Sequence, residues 1–451
     1  MTSTSQSDPA VPRDRLYRKV AWRIMPLLLA CYVVSFIDRT NVGVAQVRLK
    51  ADLGFSEGVY GLAVGLFFVG FILFEVPSNM LLARIGARKT LVRIMVSWGV
   101  VTFLTVFATT PALFYVARFL LGVAEAGFFP GALFYLAQWF PSARRTRMTA
   151  LFFLGVPLSG ILGPPLSGWI MHTLGGALGL KDWQWLFALE ALPPILLGVL
   201  VMLFFQDKPA QARWLSEPEK QAIADDLGAD QDRKQTGAKH GGMLRALRDP
   251  RVYILGLVSC GCYTLANAVS FWTPLVINSS GVGNVLDIGL LAAIPPVLGM
   301  GVMLLIGRHS DRTLERRWHA AGAEFFAAAC LIGLSFVSGN PYLVIVLLAL
   351  MTAAHYSGLT VFYSIPSIYL SGPAAASGIA MVTTMGSLAA ATSPALLGWI
   401  KTSTGSLDLG LQISAGVVVL GGVILLLGIP ASALRENTLG PSVTARSGSG
   451  R

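Results

Sequence analysis

Charged residues are scarce in this sequence of 451 residues. Asp, Glu, Lys and Arg together make up 13% of it, whereas about 25% is usual in soluble proteins. Hydrophobic residues make up 54%, and the mean hydropathy is +0.65. This balance excludes an ordinary soluble domain and predicts an integral membrane protein that crosses the bilayer several times.

Cysteine and histidine are also rare, with four and five residues respectively. All four cysteines fall in apolar stretches, and no His or Cys group has the spacing of a zinc site. We therefore predict no metal or other cofactor and interpret the cysteines as packing residues. The sequence also has no grouping of nucleophile and base that would indicate a membrane-bound enzyme.

Long apolar stretches dominate the rest of the chain. About 20 apolar residues are needed for a helix to cross the hydrocarbon core, and twelve such stretches predict an all-α integral membrane fold with two six-helix bundles. The predicted spans of the first half are 20–41, 58–82, 91–109, 112–138, 147–171 and 184–205. Those of the second half are 252–277, 286–306, 319–338, 342–365, 375–400 and 409–430.

One polar segment separates the two halves and is predicted to be a cytoplasmic linker with an amphipathic helix. The predicted organisation is an N-terminal tail 1–19, a bundle 20–205, a linker 206–250, a second bundle 251–430 and a disordered tail 431–451. The first residues lack the basic stretch and short apolar run of a cleavable signal. The first span is therefore expected to act as a signal anchor.

Basic residues concentrate in the even-numbered connections between the predicted spans. Their members include Arg84, Arg88, Lys89, Arg144, Arg145, Arg147, Arg308, Arg312, Arg316 and Arg317. Because cytoplasmic loops are enriched in Lys and Arg, both termini are predicted to be cytoplasmic. The net charge of +11 is accounted for by these loops, which can meet anionic lipid headgroups, and it does not indicate nucleic acid.

Two groups of charged residues lie inside the apolar spans. They are Asp38-Arg39 in the first span and Arg118 with Glu125 in the fourth. A charge at membrane depth costs on the order of 3 kcal/mol, so such residues usually face a cavity and mark an ion or substrate path. The expectation is a transporter for anions that is driven by protons.

Arg118 and Glu125 are seven residues apart, so they share a helix face about 10 Å apart along the axis. Arg offers a fork of donors to a carboxylate, whereas a desolvated Glu can take up a proton. The alternative is an Arg–Glu clamp that only holds helices together. Adjacent Asp38 and Arg39 point about 100° apart, so each needs its own partner; the alternative for them is a solvated pair at a helix end.

Two basic segments repeat in equivalent places. Arg84-Ile85-Gly86-Ala87-Arg88-Lys89 follows the second span, and Gly307-Arg308-His309-Ser310-Asp311-Arg312 follows the eighth. Two six-helix halves related by an axis along the membrane normal would enclose a central cavity and alternate its access by rocking. Gly160, Gly163, Pro164, Pro165 and Gly168 in the fifth span predict close helix approach, either at the rocking interface or as ordinary packing.

The repeated segments resemble the signature loop of the major facilitator superfamily. Finer matches resemble its anion:cation symporter branch, which includes bacterial tartrate, phthalate and sugar-acid transporters. These matches are the stretches 36–43, 74–79, 118–127, 270–274 and 307–318. The resemblance implies proton-coupled uptake of a small organic carboxylate, such as tartrate, a related dicarboxylate or a sugar acid, by a monomer in the bacterial inner membrane.

The resemblance also implies roles for individual residues. Proton coupling falls to Asp38 and Glu125, and substrate binding to Arg39, Arg118, Asn267, Ser270, Trp272, His355 and Tyr363. The gating loops contain Arg84, Gly86, Arg88, Gly307, Asp311 and Arg312. The alternative for His355 is an ordinary core histidine. For Glu75, a role in the cavity and a role in helix packing are given equal weight. Alternative functions are transport of an aromatic acid, of the phthalate or hydroxyphenylacetate type, and a membrane sensor that transports nothing.

Overall fold

The computed structural model describes residues 12–235, 248–313, 315–337, 339–370, 375–430 and 434. Within these ranges the chain is helical and contains no β-strand. The first-half helices are α1 (Arg13–Leu53), α2 (Glu57–Ile85), α3 (Ala87–Phe107), α4 (Pro111–Trp139), α5 (Ser142–Leu174) and α6 (Asp182–Phe204). A linker helix (Glu217–Gln235) precedes α7 (Pro250–Ser279), α8 (Val285–Ser310), α9 (Arg317–Leu334), α10 (Pro341–Tyr369), α11 (Ala375–Thr404) and α12 (Asp408–Gly428).

Eleven helices of the described ranges are long and apolar enough to cross a membrane. Of the twelve numbered helices, α9 is outside this set, because its 18 residues include Arg317, His319 and Glu324 and are less apolar. It coincides with the predicted ninth span, so a count of twelve crossings stays a prediction. The first helix is longer than predicted and ends at Leu53 rather than near 41, which places Asp38 and Arg39 well inside it.

The two halves repeat one pattern of helix packing. In the first half α1 packs on α5, α2 on α4 and α3 on α6, and in the second half α7 packs on α11, α8 on α10 and α9 on α12. The repeat extends to side chains, since Arg88 donates to the carbonyl of Met202 near the end of α6, and Arg317 donates to that of Leu426 near the end of α12. The packing therefore contains the internal duplication that the basic segments indicated.

Small residues bring the halves together at one end of the bundle. The start of α1 and the linker helix define the linker side; the opposite end, where α1 ends and α2 begins, is the far side. Gly61 of α2 lies against the carbonyl of Pro394, and Gly168 of α5 lies against the backbone of Val285. Tyr60 adds a 2.9 Å hydrogen bond from its hydroxyl to the Phe271 carbonyl. In this conformation the halves are thus in contact on the far side.

Within the first half, glycines set the distance between α2 and α4. A methyl group on Gly122 would overlap the carbonyl oxygen of Phe67, and one on Gly70 would overlap that of Phe119. Backbones that approach this closely pack well only without a side chain between them. This contact fixes where the charged residues of α4 lie relative to α1 and α2.

We expect Gly122→Ala to lower the free energy of unfolding by about 1–3 kcal/mol, because the added methyl overpacks the contact of α2 with α4. The midpoint of thermal unfolding of the detergent-purified protein measures this. Gly301→Ala is the matched control, since a methyl there meets no atom within 4 Å. Equal midpoints for the two variants would contradict the expectation.

Candidate functional site

An ion pair joins α1 to α4 in the middle of the first half. Arg39 Nε lies 2.6 Å from Glu125 Oε2, with 15% of the Arg39 side chain exposed and none of the Glu125 side chain. The hydroxyl of Ser35 donates to the same carboxylate oxygen at 3.4 Å. Sequence spacing associated Glu125 with Arg118 on its own helix, but its ion-pair partner in the described structure is Arg39.

Helix α4 is interrupted directly after Glu125. The segment Pro111–Glu125 ends there, and Gly127 has φ 89° and ψ 0° before the helix resumes at Phe128. A side chain at Gly127 would be strained in this left-handed conformation and would also collide with Ser78. The carboxylate of Glu125 is therefore at a discontinuity of a helix, a feature that frames substrate and ion sites in transporters.

Arg118 lies beside this pair and is almost fully buried, with 1% exposure. In the part of the chain that the structure describes, its Nε and Nη2 atoms have no hydrogen-bond partner, and neither has Oε1 of Glu125. The guanidinium carbons of Arg118 and Arg39 lie 5.3 Å and 5.5 Å from the centre of the Phe67 ring. The structure thus brings both arginines and Glu125 around one aromatic side chain.

Asp38, in contrast to Arg39, is hydrogen-bonded to α3. The hydroxyl of Thr102 lies 3.0 Å and 3.1 Å from its two carboxylate oxygens, and the Asn41 amide donates to it at 3.5 Å. Asp38 and Arg39 thus have separate partners on different helices, in keeping with the angle between neighbours on a helix. Both residues lie well inside α1 with Asp38 buried, so the alternative of a solvated pair at a helix end is wrong.

A second buried carboxylate adjoins Asp38. Asn41 Nδ2 donates to Glu190 Oε2 at 2.5 Å, and Ser167 Oγ donates to Glu190 Oε1 at 2.8 Å. Glu190 is not among the site residues predicted from the sequence. The available signal was a Glu inside an apolar span, shortly before Pro193 and Pro194, but nothing in the sequence indicated its link to Asn41.

Two of the second-half candidates hold helices together or lie at the contact of the halves. Asn267 donates to the carbonyl of Ala390 at 3.0 Å and to Ser393 Oγ at 2.9 Å, which ties α7 to α11. The buried Trp272 ring meets Tyr60 edge-on at 5.4 Å. It therefore lies where the halves meet on the far side.

The other second-half candidates have different surroundings. Ser270 is half-buried in a π-helical turn, Ala268–Trp272, that interrupts α7. His355 is buried, with its ring 5.7 Å from that of Tyr356. Tyr363 donates to the Tyr263 hydroxyl at 3.0 Å. These contacts do not by themselves bring the three residues to the arginines.

The predicted gating loops are largely helical. Arg84 lies in the last turn of α2, and Gly86 alone separates α2 from α3, with φ 87° and the Asp207 carboxylate packed against it. Arg88 donates its backbone N–H to Asp207 Oδ1 at 2.8 Å.

In the second copy, the last part of α8 belongs to the helical segment Ile294–Thr313, which contains Gly307 and Arg312. A helix can continue into the interface because its backbone hydrogen bonds are internal, whatever the polarity of the side chains. The Asp311 side chain lies outside what the structure describes. Among the described residues, no group of three or more His, Cys, Asp or Glu could hold a metal ion.

The sequence profile of the Major Facilitator Superfamily matches residues 28–394. The chain belongs to this superfamily. The resemblance inferred from the basic segments and the α1 and α4 stretches is thereby confirmed, and the protein is a multi-pass membrane transporter.

Two bacterial relatives cover almost the whole chain. The "Putative tartrate transporter" of Agrobacterium vitis is 42% identical over 94% of this chain and 94% of its own. The "Putative metabolite transport protein NicT" of Pseudomonas putida is 41% identical over 95% of this chain and 98% of its own.

Solved structures of the superfamily share the fold. A D-xylose-proton symporter matches with a TM-score of 0.72 at 14% identity, over 91% of this chain and 98% of that one. A bacterial homologue of the human lysosomal transporter Spinster, in an inward-facing and unoccupied conformation, matches with a TM-score of 0.68 at 18% identity, over 94% and 99%. At such identities the likeness concerns the fold alone.

The ion pair of α1 with α4 predicts energetic coupling between its members. For Arg39→Gln and Glu125→Gln, we expect a double-mutant cycle of unfolding free energies to give a coupling energy of about 1–3 kcal/mol, because each single change leaves a buried charge without its partner. Arg39→Gln combined with Glu324→Gln is the control, and these changes should add to within about 0.5 kcal/mol. Additive effects of Arg39→Gln and Glu125→Gln would contradict the coupling.

Proposed function

We propose that this transporter takes up a small organic carboxylate, such as tartrate, a related dicarboxylate or a sugar acid, together with protons. The observation that supports this most is the group formed by Arg39, Glu125 and Arg118. It combines two guanidinium groups with one buried carboxyl group at a break in α4. The printed name of the Agrobacterium vitis relative is consistent with this substrate class.

The two arginines supply the binding chemistry for an anion. A guanidinium group keeps its charge at any physiological pH and presents parallel N–H donors that match a carboxylate. The Arg118 nitrogens Nε and Nη2 make no hydrogen bond within the described chain. A buried hydrogen-bond donor without an acceptor is costly, so these two nitrogens favour a substrate carboxylate beside Arg118. A second carboxylate on the same substrate would suit Arg39.

Competition for Arg39 couples the substrate to protons. While Glu125 is ionised, it holds the guanidinium group of Arg39 at 2.6 Å. A proton on Glu125 removes this attraction and frees Arg39 for the substrate carboxylate, and loss of the proton restores the ion pair and favours release. Asp38, the buried residue that precedes Arg39 in the sequence, is the second proton-binding group of this proposal.

Access would alternate by separating the far-side contact of the halves. The glycine contacts of α2 with α11 and of α5 with α8 involve little side-chain interlocking, so the surfaces can part and close again. With the basic loops in the cytoplasm, the far side faces outwards and the described conformation is closed to the outside. We place the protein in the bacterial inner membrane as a monomer.

One observation favours a second substrate class. Three phenylalanine rings surround Arg39, with ring centres of Phe36, Phe67 and Phe71 at 5.1 Å, 5.5 Å and 5.1 Å from its guanidinium carbon. An aromatic acid of the phthalate or hydroxyphenylacetate type could stack on such rings while its carboxylate binds the arginine.

Transport into proteoliposomes under an imposed pH gradient tests the proposal. We expect the wild type to accumulate labelled tartrate and Arg118→Gln to lose this uptake, because the buried anion ligand is gone. Arg48→Gln is the control and should keep uptake, since Arg48 forms a half-exposed pair with Asp182 on the far side. Asp38→Asn and Glu125→Gln should lose accumulation driven by the gradient. Intact accumulation in both of these variants would sink the proton-coupling scheme.

Competition separates the two substrate classes. In the same vesicles, an excess of an unlabelled aliphatic dicarboxylate is expected to block the entry of labelled tartrate more strongly than phthalate does. Its flexible chain lets each carboxylate reach its own guanidinium group, whereas the two carboxylates of phthalate are fixed side by side on one ring. Thermal shifts of the purified protein with the same acids provide a second measurement. A stronger block of tartrate entry and a larger thermal shift with phthalate would instead indicate that aromatic acids are the substrates.

A further inference from the structure

The buried carboxyl groups of Asp38 and Glu190 are joined by one amide. Asn41 Nδ2 carries two hydrogens and donates towards Asp38 Oδ1 at 3.5 Å and towards Glu190 Oε2 at 2.5 Å. The exposed fractions of the three residues are 1%, 4% and 1% for Asp38, Glu190 and Asn41. The two acids thus belong to one hydrogen-bonded network next to the ion pair of Arg39 with Glu125.

No Lys or Arg of the described ranges forms an ion pair with either acid. The charged groups that act on Asp38 are Glu125 and Arg118 of α4. Glu190 is acted on by Asp38, while α3 and α5 contribute the uncharged hydroxyls of Thr102 and Ser167. Two carboxylates that share one buried hydrogen-bonded network disfavour each other's charge, which suits a site that binds one proton.

We propose that Glu190 is a further proton-binding residue of the transport site and shares with Asp38 the proton that drives uptake. This inference rests on the proposed function. The proton binds a carboxylate oxygen of one acid and leaves from the pair to water, so no other bond is made or broken. Asn41 is the positioning residue that holds the acids together.

The location of Glu190 also ties this proton to the contact of the halves. Ser167, which donates to Glu190, precedes Gly168, and Gly168 packs on the backbone of α8 at Val285 and Gly289. Glu190 itself ends the first segment of α6, Asp182–Glu190, before Leu192 and two prolines continue it. A change of charge on Glu190 therefore acts on the hydrogen bond of the α5 residue next to the far-side contact.

The test compares Glu190→Gln, Glu190→Asp and the wild type in proteoliposomes with labelled tartrate. For Glu190→Gln we expect accumulation under a pH gradient to fall to the ratio measured without a gradient, while exchange of internal for external tartrate continues. Glu190→Asp keeps a titratable group and should accumulate tartrate again, with a shifted pH profile. Glu324→Gln is the matched control: it removes a buried carboxyl of the other half, bonded to Cys262 at 2.8 Å, and should leave accumulation unchanged.

Each outcome of this test supports or overturns the role proposed for Glu190. Wild-type accumulation and pH profile in Glu190→Gln would overturn the inference while the proposed function stands. Loss of exchange in both Glu190→Gln and Glu190→Asp would show a packing role and overturn it as well. Loss in Glu190→Gln with recovery in Glu190→Asp supports it. A wild type that accumulates no tartrate, other dicarboxylate, sugar acid or phthalate overturns the proposed function and this inference together.

Discussion

The buried ion pair between Arg39 and Glu125 is the constraint on which the first half depends. A charge left alone at membrane depth is costly, so α1 and α4 must meet where these side chains lie. Near this meeting α4 approaches α2 at Gly122 and breaks at Gly127, and neither backbone arrangement tolerates a larger residue. The glycines of α4 thus help to set where Glu125 lies relative to Arg39.

Helix interruptions and buried acids coincide in this molecule. Glu125 is the last residue of its helical segment, and Glu190 is the last residue of Asp182–Glu190. At such breaks the backbone loses part of its regular hydrogen bonding, and it can adjust at lower cost than inside a continuous helix. An acid placed there can therefore change partners when its charge changes, without unfolding a whole helix.

Much of the fold was predictable because the signal for a membrane helix is strong and local. The predicted spans fall on the observed helices, and the basic segments after α2 and α8 indicated the duplication. The length of α1 was not predictable from hydropathy, because the charged residues Arg48 and Lys50 follow the apolar stretch and are typical of a loop. In the structure their charges pair with Asp182 and Glu57 at 2.9 Å and 2.6 Å, and the helix continues beneath them to Leu53.

The sequence predicted which residues belong to the site better than it predicted which of them contact each other. Helical spacing showed that Asp38 and Arg39 need separate partners, but only packing decides that these are Thr102 of α3 and Glu125 of α4. The link from Asp38 through Asn41 to Glu190 joins residues far apart in the chain. A single sequence contains no distance information of that kind, so an acid such as Glu190 looks structural until its neighbours are known.

The duplicated fold is chemically asymmetric, and this asymmetry suits a carrier of anions. The buried ion pair and the Arg118 nitrogens without a hydrogen bond in the described chain lie in the first half. The described substrate-binding candidates of the second half are amide, hydroxyl, indole and imidazole groups. The first half can then bind the charge of the substrate, while the second half contacts the rest of the substrate. Because the halves move relative to each other in alternating access, the substrate can stay bound by charge to one half while its contacts with the other half are remade.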